Sequence, residues 1–223
     1  MNKRTKTWVI VAMLIPLFAS IGSIQVGSML ANGTHRVVAA DTFNVDVLNA
    51  CGVVTNGRGH GSCVAIGPDL VLTVGHCIGY EGAYVEINGV KYEILEEWKS
   101  DIYDVGLIRI SGTLDAYCEL GEMPLVLDEV FLVGSPYELI FSNTITKGIV
   151  SALGRSFVGI DNLIQTDAEG APGSSGGPLF DDSGKVIGLC VAGPNPGGGV
   201  VCCVPVMDIK VALEEYEDAV AAR

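Results

Sequence analysis

Three short segments of the 223-residue chain carry side chains that together can run acyl transfer. Val71-Leu72-Thr73-Val74-Gly75-His76-Cys77 is an apolar run that ends on a histidine. Tyr103-Asp104-Val105-Gly106-Leu107-Ile108 sets an aspartate at the head of a second apolar run. Ala171-Pro172-Gly173-Ser174-Ser175-Gly176-Gly177-Pro178-Leu179 places serine inside a glycine-rich turn. A hydroxyl is a weak nucleophile and needs a base beside it, and imidazole titrates near neutrality. The imidazole in turn needs a carboxylate on its second nitrogen, to fix the tautomer and stabilise the charge that develops. An acyl-transfer intermediate carries an oxyanion, which backbone N–H groups in a tight glycine turn can meet.

Singly, each segment has an ordinary reading: a strand-end histidine, a solvated strand cap, a flexible loop. Their joint occurrence in the order His, Asp, Ser is far more specific. The remaining candidates fit less well. His60, in Arg58-Gly59-His60-Gly61, has no strand pattern after it and reads as a loop residue, and His35 falls in the N-terminal segment. Asp101 lies three residues before Asp104 but is detached from the apolar run. With three histidines and no Cys-x-x-Cys pair among seven cysteines, no metal site is expected.

Strands with turns between them must position these groups. Cys63–Ile66, Leu70–Val74, Tyr84–Ile87, Lys91–Glu97 and Val105–Ile110 have strand character, and Asn88-Gly89 predicts a hairpin. Gly67-Pro68-Asp69 marks another turn. Residues 112–124 read as a link, after which Val130–Val133, Ile145–Val150, Leu163–Thr166, Val186–Val191 and Val200–Val206 resume the pattern. From Met207 the spacing of Ile209, Val211 and Ala212 against Glu214, Glu215, Glu217 and Asp218 predicts one amphipathic helix. The chain therefore reads as nearly all-β, in two lobes closed by a helix, with barrels or a sandwich as the architecture.

Composition narrows the function. The chain is 49% hydrophobic, which excludes a disordered protein. Its formal charge is −13, and Lys3, Arg4, Lys6 and Arg36 are the only charged residues among the first 40. Without them, residues 41–223 hold 9 basic against 26 acidic side chains, a charge of −17 that argues against nucleic-acid partners. Lys3, Arg4 and Lys6 precede the apolar run Trp8–Ala19, the pattern of an export signal. Val38-Ala39-Ala40 offers small residues for a cut before Asp41. Retention of residues 8–31 as a membrane anchor is the alternative. Either route takes residues 41–223 to an oxidising compartment.

From about Gly61 to Val206 the chain resembles the chymotrypsin-type serine peptidases, and most closely the bacterial HtrA/Deg branch. Gly61-Ser62-Cys63-Val64-Ala65-Ile66 with Leu72–His76 is similar to the family's histidine region, and Asp104–Ile108 to its aspartate region. Val133-Gly134-Ser135-Pro136 and Gly148–Arg155 look like the HtrA branch. Ile164-Gln165-Thr166-Asp167-Ala168, leading into Gly173–Pro178, completes the match. The resemblance implies a two-lobed double β-barrel, with the N-terminal barrel at about 45–112, the C-terminal barrel at about 125–206 and a helix at about 207–221. It implies a cofactor-independent endopeptidase acting on polypeptides. Ser175 would be the nucleophile, His76 the general base, Asp104 its orienting partner, and Gly173 and Ser175 the oxyanion-hole donors. Ser174 would be a non-catalytic neighbour. Val191-Ala192-Gly193 would pair with the substrate backbone, and the specificity pocket would lie among residues 167–172, 191–193 and about 199–201.

Several departures limit what carries over. Ser174 stands where the digestive branch has an aspartate that binds a newly released N-terminus, so that activation route is not implied. HtrA proteins usually carry a PDZ domain, whereas 17 residues follow Val206 and none is expected here. Glu169, six residues before Ser175, falls where the family places the pocket floor and would favour Lys or Arg substrates, unless it is a solvated loop residue. By the resemblance, Cys63 and Cys77 could bridge beside His76, and Cys51 with Cys118 is a weaker pairing. Adjacent Cys202 and Cys203 point to opposite faces of a strand, so at most one can face Cys190. Two rivals remain. One is an inactive, protease-like module that binds polypeptides. The other is an α/β-hydrolase esterase, whose Ser, acid, His order is the reverse of the one found here.

Overall fold

The computed structural model describes residues 43–194 and 198–223. The export segment, the cut before Asp41 and the anchor at residues 8–31 lie outside the described residues. Among the described residues twelve strands wind into two closed antiparallel barrels of six. The first contains β1 (Cys51–Thr55), β2 (His60–Ala65), β3 (Leu70–Thr73), β4 (Tyr84–Ile87), β5 (Val90–Lys99) and β6 (Gly106–Ile110). The second contains β7 (Glu129–Gly134), β8 (Thr144–Phe157), β9 (Ile160–Thr166), β10 (Pro178–Phe180), β11 (Val186–Ala192) and β12 (Val201–Pro205). Around the first barrel the neighbours run β1-β2-β3-β6-β5-β4, and the second repeats the same winding. This is the two-lobed double-barrel fold, and closure leaves neither sheet with a free edge.

Local chemistry explains the path. Ile87 and Val90 face each other across Asn88-Gly89, whose φ angles of 52° and 72° make the two-residue turn that matches strand twist. Two strands are invisible in the hydrophobic pattern. β1 is Cys-Gly-Val-Val-Thr, buried throughout, so no polar alternation announces it. β10 is three residues long. β2 begins at His60, so that residue belongs to a strand and not to a loop.

One buried cluster fills the first barrel and continues through Phe180, Leu189 and Val204 to Ile209, Ala212 and Tyr216 of the terminal helix α1 (Val206–Ala221). A second is made by the other face of the second-barrel strands, including Leu132, Ile164, Leu179 and Ile187. The helix is fastened to the first barrel as well. Tyr216 packs on Trp98 with ring centroids 5.8 Å apart, Arg109 Nε donates to Tyr216 Oη at 3.2 Å, and Ser100 Oγ donates to Glu215 Oε2 at 3.0 Å.

All seven cysteines are free thiols in this structure, which corrects the expected Cys63–Cys77 and Cys51–Cys118 bridges. The Cys77 thiol donates instead toward the Ser175 carbonyl at 3.7 Å. Burial pushes the Cys51 and Cys63 thiols upward, away from the reactive thiolate.

Leu72 is fully buried on β3, four residues before His76. Leu72→Ala should cost about 2–5 kcal/mol in urea unfolding, as a cavity in a packed core does. An unchanged midpoint would show that this strand is not packed as described.

Candidate active site

His76 sits in a single 3-10 turn, Gly75–Cys77, directly after β3, and Asp104 lies just before β6. β3 and β6 are hydrogen-bonded neighbours with Thr73 opposite Gly106, so the barrel delivers the two residues to one rim. The carboxylate takes two bonds from the histidine. Its Oδ2 accepts Nδ1–H at 2.7 Å, and its Oδ1 accepts the backbone N–H at 2.9 Å. That arrangement commits Nδ1 to the proton and leaves Nε2 free to accept one. The Asp104 side chain is 14% exposed and the imidazole 49% exposed. The bond to Asp104, then contact with the Cys77 thiol, raises the imidazole above its usual 6.5, against a smaller opposing effect of burial.

Ser175 lies in the turn between β9 and β10, and its shape depends on two glycines with positive φ, Gly173 at 98° and Gly176 at 84°. Side chains there are excluded on contact grounds also. A Cβ on Gly173 would overlap the Ser135 carbonyl and His60 Nε2, and one on Gly176 would overlap Thr73 Oγ1 and the Ser62 carbonyl. The turn is held from outside by β2. Ser62 N–H donates to the Ser175 carbonyl at 2.7 Å, and Ser62 Oγ donates to the Gly173 carbonyl at 2.8 Å while accepting from Ser135 N–H at 2.9 Å. His60 Nε2 adds a 2.7 Å bond to the Ser135 carbonyl, and Thr73 Oγ1 donates to the Ser62 carbonyl at 2.8 Å. With both carbonyls of the turn occupied by β2, the N–H groups of Gly173 and Ser175 have no protein acceptor among the described residues. The Ser175 hydroxyl donates to the Val191 carbonyl at 2.8 Å and is not bonded to His76.

His76, Asp104 and Ser175 share one cleft of about 610 Å³ with Val158, Ile160, Gly170, Ala171, Pro172, Cys190, Val191, Gly193 and Val201. Val191 and Gly193 border the cleft, and Ala192 ends β11 between them. Glu169 does not. It is exposed and borders a separate hollow of about 200 Å³ with Pro136, Tyr137 and Thr146, and its carbonyl accepts a 2.7 Å bond from Thr146 Oγ1. A pocket floored by that carboxylate does not fit this placement, because β9 ends at Thr166 and the following turn carries the side chain outward. Ser174 is buried, its Oγ accepting from Ala171 N–H at 3.3 Å. Among the described residues no group of three or more His, Cys, Asp and Glu side chains could hold a metal ion.

His60 is the residue that sequence reasoning set aside as a loop position, and Ser62 and Ser135 stood within the matched Gly61–Ile66 and Val133–Pro136 segments without a role. The one available signal was the recurrence of small polar residues ahead of the apolar part of β2.

Two barrels with a histidine–aspartate pair on one and a serine turn on the other are the layout shared by the double-barrel serine peptidases. Residues 61–189 match the family model described as a trypsin-like peptidase domain, and the chain belongs to that family. It is 29% identical over 213 residues to a probable periplasmic serine endoprotease, DegP-like, of Buchnera aphidicola, covering 87% of this chain and 45% of that one. It is 35% identical over 154 residues to the periplasmic pH-dependent serine endoprotease DegQ of Escherichia coli, covering 65% and 33%. The chain thus spans less than half the length of these relatives. Among solved structures, the serine endoprotease from Yersinia pestis superposes with a TM-score of 0.65 at 25% identity, over 76% of this chain and 63% of that one. The Rv3671c protease of Mycobacterium tuberculosis gives the same score at 18% identity, a likeness of fold.

The Asp104 bond can be tested on the ring itself. An NMR titration should place the His76 midpoint above 6.5, and Asp104→Asn should bring it down, since the substitution removes the carboxylate that favours the imidazolium. A midpoint that stays put in the variant would contradict the bond.

Proposed function

We propose that this protein is an exported serine endopeptidase, with residues 41–223 as the protease domain and residues 1–40 as its export signal or anchor. The observation that carries the reading is the shared cleft: an Asp104-oriented imidazole, a serine, and two unpaired N–H groups on the serine's own turn. The periplasmic naming of the DegP-like and DegQ relatives agrees with the basic and apolar N-terminus.

The chemistry follows from the atoms. Ser175 Oγ leaves the Val191 carbonyl by rotation about Cα–Cβ and gives its proton to His76 Nε2 as it bonds the scissile carbonyl carbon. The carbonyl oxygen becomes an oxyanion facing the Gly173 and Ser175 N–H groups. Asp104 stabilises the imidazolium through Nδ1. Collapse breaks the C–N bond, and Nε2 passes the proton to the departing amine. Water, deprotonated by the same nitrogen, then releases the acyl group from Ser175. The substrate backbone lies along Val191–Gly193 at the end of β11. Its side chain enters a cleft walled by Val158, Ile160, Ala171, Pro172 and Val201, which suits an apolar residue of moderate size.

The bond from Ser175 Oγ to Val191 favours a second reading, a polypeptide-binding module with the serine turned away from its base. A fluorophosphonate probe separates the two. The parent should be labelled and Ser175→Ala should not; a folded parent that resists labelling supports the binding module. In a peptide library the parent should prefer apolar residues before the cleaved bond, and Glu169→Ala should cleave with the same preference. A Lys or Arg preference lost in Glu169→Ala would restore the carboxylate pocket.

A further inference from the structure

A thiol pair stands behind the specificity cleft. Cys190 on β11 borders the cleft beside Gly170 and Pro172, and Cys203 on β12 lies directly opposite it. In an antiparallel sheet the N–H and C=O of one residue point to the same side. Cys190 directs both at the nucleophile turn, donating to the Gly177 carbonyl at 2.8 Å and accepting from Gly176 N–H at 2.7 Å. Cys190 and Cys203 are therefore a non-hydrogen-bonded pair, the closer of the two kinds, with Cα atoms about 4.5 Å apart. That lies within the roughly 4.4–6.8 Å that a disulfide spans. Directly opposed residues project from one face, and these two share a buried cluster with Leu132, Ala168 and Val201. Cys202, the neighbour in sequence, packs in the other cluster and faces away. Cys203 has no exposed surface, whereas Cys190 borders the cleft, so a reagent entering the cleft meets Cys190 first.

We propose that Cys190 and Cys203 form a redox-active dithiol, in which Cys190 reacts with small disulfides that enter the cleft and Cys203 resolves the product. In the first step the Cys190 thiolate attacks a disulfide RS–SR, the S–S bond breaks, and one RSH leaves after taking a proton. In the second, the Cys203 sulfur attacks the Cys190 sulfur of that mixed disulfide, the bond from Cys190 to RS breaks, and the Cys203 proton passes to the departing sulfur, which leaves as the second RSH. The oxidant is the small disulfide, reduced to two thiols, and the chain keeps one Cys190–Cys203 bond. The purpose follows from the position. A mixed disulfide on Cys190 would fill the pocket, while the internal bond empties it again and ties β11 to β12 beneath the nucleophile turn.

The test uses the full chain carrying Cys202→Ser, which leaves one cysteine on β12, exposed to oxidised glutathione and digested without reductant. Mass spectrometry should find Cys190 linked to Cys203 with the mass of two hydrogens lost, and reductant should reverse it. With Cys203→Ser added, a glutathione adduct should persist on Cys190, and fluorophosphonate labelling of Ser175 should fall until reductant restores it. The proposal is overturned if both cysteines of the folded Cys202→Ser protein stay free thiols. It is equally overturned if a glutathione adduct persists on Cys190 while Cys203 is present, or if the trapped adduct leaves labelling unchanged. Peptide mapping needs no catalysis, so a protein that the probe never labels still decides whether the bond forms.

Discussion

The site is organised by the grip of β2 on the turn that carries Ser175. Ser62 holds that turn at two carbonyls, those of Gly173 and Ser175, through its hydroxyl and its backbone N–H. A carbonyl and the N–H of the next residue lie on opposite sides of a peptide plane. Ser62 therefore sets the planes that carry the Ser174 and Gly176 N–H groups, on either side of Ser175, while the planes that carry the Gly173 and Ser175 N–H groups are set by the Pro172 carbonyl, which accepts from Tyr137 N–H at 2.6 Å, and the Ser174 carbonyl, which accepts from Gly177 N–H at 2.9 Å. Gly173 and Gly176 make the conformation accessible, but glycine permits many others, and the bonds from β2 select this one. A donor aimed before the reaction begins pays no reorganisation cost when charge appears.

The same grip explains why two barrels are needed. His76 and Asp104 come from adjacent strands of the first barrel, where the β3–β6 register sets their separation. The serine comes from the second. The first barrel thus supplies both the base and, through β2, the clamp on the nucleophile turn, so one rigid body sets both halves of the chemistry. Cys190 anchors the turn from the opposite side by exchanging bonds with Gly176 and Gly177. A change in the state of its thiol would act on the same loop.

The two-lobed β-fold was legible in the sequence, and His76 and Asp104 stood out because one ends and the other begins an apolar run, where a strand boundary fixes how a side chain emerges, whereas Ser175 stood out only by the glycines around it. The Asn88-Gly89 hairpin was legible for a similar reason, since few dipeptides tolerate two positive φ angles. His60 was not. It opens a strand of His, Gly, Ser and Cys, residues with no hydrophobic alternation, and its role depends on Ser135, which is 75 residues away. Glu169 misled because its distance from Ser175 along the chain says nothing of where the turn after β9 sends the side chain. The cysteine pairs were set by register: the sequence allowed either Cys202 or Cys203 to face Cys190, and the β11–β12 pairing chose Cys203.

The most direct measurement concerns Ser62. A peptide boronate forms a tetrahedral, negatively charged adduct on a nucleophilic serine, so its affinity reports the oxyanion donors, while KM for the matching peptide reports ordinary binding. If the grip of β2 holds the turn in the shape that presents the Gly173 and Ser175 N–H groups, Ser62→Ala should weaken the boronate roughly tenfold or more, in line with the loss of an aimed donor, with KM little changed. Equal boronate affinity in parent and variant, with both folded, would contradict the account.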